Sequence, residues 1–232
     1  MITIRRSSDR GALNFGWLDT KHTFSFGDYR DPAWTHFSVL RVINEDIVAP
    51  GAGFPEHPHR DMEIITYMID GALAHKDSTG GESVIRRGDI QRMTAGMGVT
   101  HSEFNPSENE RAYLLQIWLF PSAKSLTPGY EEKHFPLDDR RDQLVTLVSQ
   151  DGRDGSLSMH QDAALLGTVL SAGKTVTHDL APGRSAWVQL VTGGAMVDGE
   201  ELSAGDGVGV TEKTNVTIEA TDETELLVFD LP

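Results

Sequence analysis

The feature that most restricts the fold of this chain is a period of two. Apolar and β-branched residues alternate with polar ones or run together in Phe37–Ile43, Glu63–Ile69, Leu114–Phe120, Leu144–Val148, Ala186–Val191, Val216–Glu219 and Glu225–Phe229. Such runs bury one or both faces of a β-strand. No segment carries a helical stripe of comparable length. Between the runs lie Asp70-Gly71, Gly80-Gly81, Arg87-Gly88-Asp89, Gly193-Gly194, Asp198-Gly199 and Ala204-Gly205-Asp206. This is turn chemistry at the close spacing of an antiparallel sandwich or barrel. The expectation is an all-β protein.

The two halves echo one another. Tyr67-Met-Ile-Asp-Gly71, a polar turn and Arg87-Gly88-Asp89 resemble Leu190-Val-Thr-Gly-Gly194, a shorter turn and Ala204-Gly205-Asp206. Two similar β-units are therefore expected. The stretch from Pro121 to Pro136 is polar and punctuated by proline, which places a linker at 123–136 between domains at 1–122 and 137–232. A single continuous sandwich is the alternative.

Composition narrows the chemistry. The chain has no cysteine, so disulfides, thiolate metal sites and cysteine nucleophiles are excluded and any metal must use His, Asp or Glu. A net charge of −15 disfavours nucleic-acid backbones and anionic lipid, which need a positive surface field. Arg86-Arg87 and Arg140-Arg141 sit among acids and read as solvated surface. Met1–Arg10 holds no signal-peptide core, and no stretch approaches the roughly 18 apolar residues of a membrane span. The expectation is a cytoplasmic monomer, with Asn215-Val216-Thr217 a chance match to a glycosylation acceptor. Gly167–Thr175 ends like a phosphate loop, but five residues separate its glycines where the motif has four. Ser102 has no hydrolase pattern around it.

Nine histidines are present. His57-Pro58-His59 places two imidazoles on one face of an extended strand about 7 Å apart, where they can share an ion. His101-Ser102-Glu103 repeats the geometry with one imidazole and one carboxylate. Two such strands facing each other across a small barrel would converge four ligands suited to Fe(II), Mn(II), Ni(II), Co(II) or Zn(II). The alternatives are an exposed His pair without an ion and a closed structural zinc site, although the latter more often recruits cysteine. His160 and His178 are isolated and read as surface or hydrogen-bonded core residues, so no metal is expected in the second half. Trp17, Phe24, Phe26, Trp34, Phe37, Tyr67, Trp118 and Trp187 read mainly as core, with one or two available to line a flat pocket.

Two longer patterns carry a family resemblance. Gly51, His57, His59, Glu63 and Gly71, then Gly88, Gly96, Gly98, His101 and Asn105, resemble the paired cupin motifs. The departures are one extra residue before Gly71, glycine at 96 where the second motif has proline, and a longer stretch after Gly88. Pro55–Arg60, Thr66-Tyr67 and Met93–Glu103 are similar to the pirin family, as are Gly16–Asp19, His22–Phe26, Leu40–Asn44, Asp154–Ser156 and His160–Asp162. That resemblance implies two cupin-type jelly-roll domains packed together. It implies one divalent cation on His57, His59, His101 and Glu103, with Glu63 outside the ligand set. Fe(II) is foremost, with Ni, Co, Mn, Cu or Zn as alternatives. It further implies oxidative cleavage of a flavonol such as quercetin by O2 with release of carbon monoxide, the metal acting as Lewis acid and template. Glu103, the one non-imidazole ligand, is then the candidate catalytic group that takes the substrate's hydroxyl proton. Two other readings are a metal-binding regulator that meets a protein partner without turnover, and a sugar-phosphate isomerase, for which Arg60, Lys76 and Arg92 are the few nearby cations.

Overall fold

The alternating runs form strands throughout the computed structural model, which describes Met1–Pro232 and contains only three single-turn 3-10 helices beside its strands. No helix is long and apolar enough to cross a membrane. Two units divide the chain, and each holds one large and one small antiparallel sheet.

The first unit comprises residues 11–134 and 157–161. Its large sheet is built from β2 (Gly11–Asn14), β3 (Leu18–His22), β4 (Leu40–Val48), β6 (Glu63–Asp70), β9 (Asp89–Thr94), β11 (Ala112–Leu119) and β12 (Gly129–His134), in the order β12-β9-β6-β11-β4-β3-β2. Its small sheet orders β5 (Gly53–His59), β10 (Val99–Phe104), β7 (Ala72–Asp77) and β8 (Glu82–Arg86) as β5-β10-β7-β8. Leu18, Val48, Met68, Leu73, Ile85, Ala112 and Leu114 fill one region of the interior as an apolar plug.

The second unit comprises residues 1–10, 135–156 and 162–232. Its large sheet runs from β1 (Ile2–Arg5) through β20 (Gly207–Val210), β17 (Ser185–Thr192), β22 (Thr224–Leu231) and β15 (Ala164–Leu170) to β13 (Val145–Ser149). Its small sheet orders β16 (Thr175–Asp179), β21 (Asn215–Ala220), β18 (Gly194–Val197) and β19 (Glu200–Ser203) as β16-β21-β18-β19. The order matches that of the first unit from β12, where β1 stands, through to β3, where β13 stands. The expected internal repeat is therefore a repeat of topology, and the all-β jelly-roll class is observed. This interior is packed by Leu166, Val188, Leu190, Val208, Val216, Ile218 and Val228 among others.

Two expectations differ in detail. The segment 123–136 is not an unstructured connector, because Gly129–His134 pairs with β9 as an edge strand, and Ile2–Arg5 pairs with β20 of the second unit. The run read as a strand from Phe37 starts at Leu40. Ser38 adopts φ of 49°, and the backbones of Phe37 and Leu40 bond to each other, closing a tight turn before pairing begins.

Candidate metal centre

Antiparallel pairing of β5 and β10 sets His57 directly opposite His101, while His59 lies two residues along the same face of β5. A bulge between His101 and Glu103 shifts the register, which re-aims a side chain relative to a regular ladder. On the other side β10 pairs with β7, placing Glu103 opposite His75 and His101 opposite Asp77. The four residues expected as ligands, His57, His59, His101 and Glu103, all line one cavity of about 190 Å³ together with Phe26, Asn44, Asp46, Phe54, Ile64, Gln116 and Trp118.

The three imidazoles form a near-equilateral triangle, with ring centroids 4.5 to 4.7 Å apart. Their hydrogen-bond partners fix where the lone pairs point. His57 Nδ1 lies 2.7 Å from the Pro55 carbonyl, which can only accept, so Nδ1 carries the proton and Nε2 is a bare acceptor. His75 Nε2 lies 2.9 Å from Asp77 Oδ2, so His75 donates there and its Nδ1 accepts. His101 Nδ1 and Gln91 Nε2 each stand 3.4 Å from that nitrogen. His101 therefore carries its proton on Nδ1 and presents Nε2 as a lone pair.

The Nε2 atoms of His57 and His101 face each other at 3.1 Å. Two such nitrogens approach this closely only with a proton or a metal cation between them. Nitrogens about 2.1 Å from a common ion and at right angles are about 3.0 Å apart, so the spacing fits a shared metal. Burial first, and the neighbouring imidazoles second, lower His59 to about 4 and His101 to about 3, which keeps both rings neutral and available to bind.

Glu103 is 3% exposed. Gln116 donates its amide to both carboxylate oxygens, at 3.0 and 2.8 Å. Burial first, and the nearby Asp46 carboxylate last, push Glu103 up to about 7 against the lowering by the Gln116 amide. No Lys or Arg lines the cavity. A divalent ion would supply the missing positive charge for this desolvated carboxylate, so the donor set fits the group that the motif implies.

The other sequence candidates lie elsewhere. Glu63 is fully buried and accepts a hydrogen bond from the Thr94 hydroxyl at 3.0 Å, outside the cavity lining. Lys76 pairs with Glu82, Arg60 with Asp61 and Arg92 with Glu131. His178 bonds Asp230 at 2.8 Å, and His160 is exposed. Of the aromatic residues, Phe24, Tyr67 and Trp187 are core, whereas Phe26 and Trp118 line the cavity and the Trp118 ring is 4.9 Å from that of His59.

Sequence reasoning missed His75, Asp77, Asn44 and Gln116. Gln116 did leave a signal, as a polar residue at the centre of the apolar run Leu114–Phe120. His75 left none, because its role depends on β7 lying beside β10.

By register, the second unit sets His178, Leu180, Val216 and Ile218 where the first has His57, His59, His101 and Glu103. Three of the four positions are apolar there.

Comparison with known proteins gives a consistent result. Residues 4–119 match the family model for pirin, and residues 146–231 match that for the quercetinase C-terminal cupin domain. The chain is 44% identical to a quercetin 2,3-dioxygenase of Escherichia coli strain K12, covering 100% of this chain and 99% of the relative. It is 42% identical to a pirin-like protein of Caulobacter vibrioides, covering 99% of each. A crystal structure of a bacterial pirin from Escherichia coli in complex with nickel(II) superposes with a TM-score of 0.96 at 42% identity, covering 100% of this chain and 99% of that one.

Proposed function

Because this chain belongs to the pirin family, we propose that it is a metal-dependent dioxygenase acting on a flavonol such as quercetin, with His57, His59, His101 and Glu103 as the ligands of one divalent cation. The observation that carries the reading is the triangle of His57, His59 and His101, whose ligand nitrogens lie within 4.8 Å of one another in a cavity that the buried Glu103 also lines. Relatives named quercetin 2,3-dioxygenase at 44% and, as putative enzymes, at 40% identity support the substrate class. Fe(II) is the ion assigned first; Ni(II), present in the related crystal structure, meets the same donor set.

A metal bound here would act as Lewis acid toward the flavonol 3-hydroxyl and 4-carbonyl and hold substrate and dioxygen together. The protein's own groups do the rest. Phe26, Phe54 and Trp118 present flat apolar walls to the ring system. Glu103, held by Gln116, is the one carboxylate in the ligand set and is assigned the 3-hydroxyl proton. A second space of about 290 Å³, lined by Phe15, Trp17, Thr20 and His22, shares Phe26, Asn44, Asp46 and Phe54 with the first and extends the room for a multi-ring ligand. The absence of Lys and Arg from both linings disfavours a sugar phosphate.

Elemental analysis and oxygen uptake test the proposal. His57→Ala and His101→Ala are expected to lose bound metal and quercetin-dependent oxygen consumption together. Glu103→Gln is expected to keep a substantial part of the metal and lose about 100-fold or more in turnover. Full metal occupancy in either histidine variant would show that the ligand set is wrong.

A further inference from the structure

One register row crosses the large sheet of the first unit with no apolar residue in it. His22 on β3 is paired with Asn44 on β4, Asn44 with Gln116 on β11, Gln116 with Thr66 on β6, and Thr66 with Gln91 on β9. All five side chains are buried. Thr20 lies one inward position along β3, opposite Asp46. Asn44 Oδ1, Gln116 Oε1, Thr66 Oγ1 and Thr20 Oγ1 have no hydrogen-bond partner within the protein. Buried acceptors left in this state destabilise a fold and are rarely retained without a use.

The second unit supplies an internal control. The equivalent row there reads Thr146 on β13, Leu166 on β15, Val228 on β22, Val188 on β17 and Val208 on β20, and the last four are buried and apolar. The same topology in the same chain thus tolerates a hydrocarbon row. The polar one is not a demand of the fold.

Asn44 and Gln116 line the metal cavity, and Thr20 and Asn44 line the neighbouring space that shares four wall residues with it. The Gln116 amide NH2 is committed to Glu103, so its Oε1 is fixed as an acceptor. With Asp46 and Glu103 also on these walls, the surface asks for O–H donors and repels anions, while Phe26, Phe54 and Trp118 ask for flat rings. We infer that Thr20, Asn44 and Gln116 form a specificity-determining acceptor row that recognises the peripheral hydroxyl groups of a neutral polyhydroxylated aromatic ligand. This rests on the flavonol reading for the ligand class. It adds which side chains select hydroxylated rings over bare ones.

The test is anaerobic titration of the metal-loaded protein with quercetin and with 3-hydroxyflavone, which keeps the 3-hydroxyl and 4-carbonyl and lacks every other hydroxyl. The wild-type protein should bind quercetin at least about tenfold more tightly than 3-hydroxyflavone, on the scale of one or two satisfied buried acceptors. Thr20→Val and Asn44→Leu should each reduce that preference by about fivefold or more and leave 3-hydroxyflavone binding unchanged. Because each change replaces an unpartnered polar group with a hydrocarbon of similar shape, the ligand-free variants should melt at the wild-type Tm or above it. Thr20→Val, the closer isostere, decides the matter if Asn44→Leu fails to fold. An unchanged preference in the folded variants, or no preference in the wild type, overturns the inference. Oxygen uptake with quercetin separates the two readings: turnover without the preference removes only the acceptor row, and the preference without turnover removes only the dioxygenase assignment.

Discussion

At the scale of single residues, His101 shows that a ligand is made by the atoms behind it. Its Nδ1 meets His75 Nδ1 at 3.4 Å, and His75 reaches Asp77 at 2.9 Å, so an Asp–His–His line fixes the tautomer of the innermost ring. Outer partners of this kind orient a ligand and raise its basicity, and their loss typically costs 10- to 100-fold in metal affinity. His75→Phe keeps the ring that stacks on Tyr130 at 4.8 Å and removes both nitrogens. Its metal affinity, read by competition with a chelator, should fall by about that factor, and its unfolding in chelator should lose about 1–3 kcal/mol because buried Asp77 Oδ2 is left without its partner. The motif His57-x-His59 with His101-x-Glu103 was legible from spacing alone, because ligands two apart on a strand share a face. His75 was not, since nothing in Ala72–Asp77 announces which strand will lie beside it.

At the scale of elements, the two ligand-bearing strands are held in place by turns that need particular backbone conformations. Gly96 connects β9 to β10 at φ of 47°, and a Cβ there would collide with the Leu126 carbonyl, which itself accepts from the Met97 amide at 2.8 Å. Gly96→Ala should therefore destabilise by at least about 1–3 kcal/mol, measured by denaturant unfolding, and should weaken metal binding because β10 carries His101 and Glu103. Most strands of the large sheets were foreseen from their apolar runs. Those that carry the site left no apolar run, because β5 (Gly-Phe-Pro-Glu-His-Pro-His) and β10 (Val-Thr-His-Ser-Glu-Phe) are written in polar residues, and only the ligand spacing read them as strands. Function had replaced the hydrophobic signal on which such readings depend.

At the scale of the whole molecule, the repeated topology lets each unit be read against the other. The second unit has its own buried ionic arrangement: Asp230 accepts from His178 at 2.8 Å and pairs with Arg184. Burial alone would raise the Asp230 carboxyl, yet the hydrogen bonds from His178 and Arg184 hold it below its ordinary value of 3.8. A depressed acid contributes stability that is present above its unfolded pKa and is lost as pH falls through the folded one. Asp230→Asn should thus cost about 1–3 kcal/mol near pH 7, and the gap to wild type should close as the pH drops below 3.8, as thermal unfolding at the two pH values would show.

The sequence by itself determined the β class, the twofold repeat and the cysteine-free ligand pattern, because periodicity, turn chemistry and ligand spacing are local along the chain. Tertiary structure alone decided that β12 closes the edge of the first unit's large sheet, that His75 and Asp77 stand behind His101, and that Asn44 meets Gln116 in a polar row whose counterpart is hydrocarbon. Each of those depends on which strands pair and in what register, a property of residues distant in sequence, and one step of register would turn every one of those side chains to the opposite face.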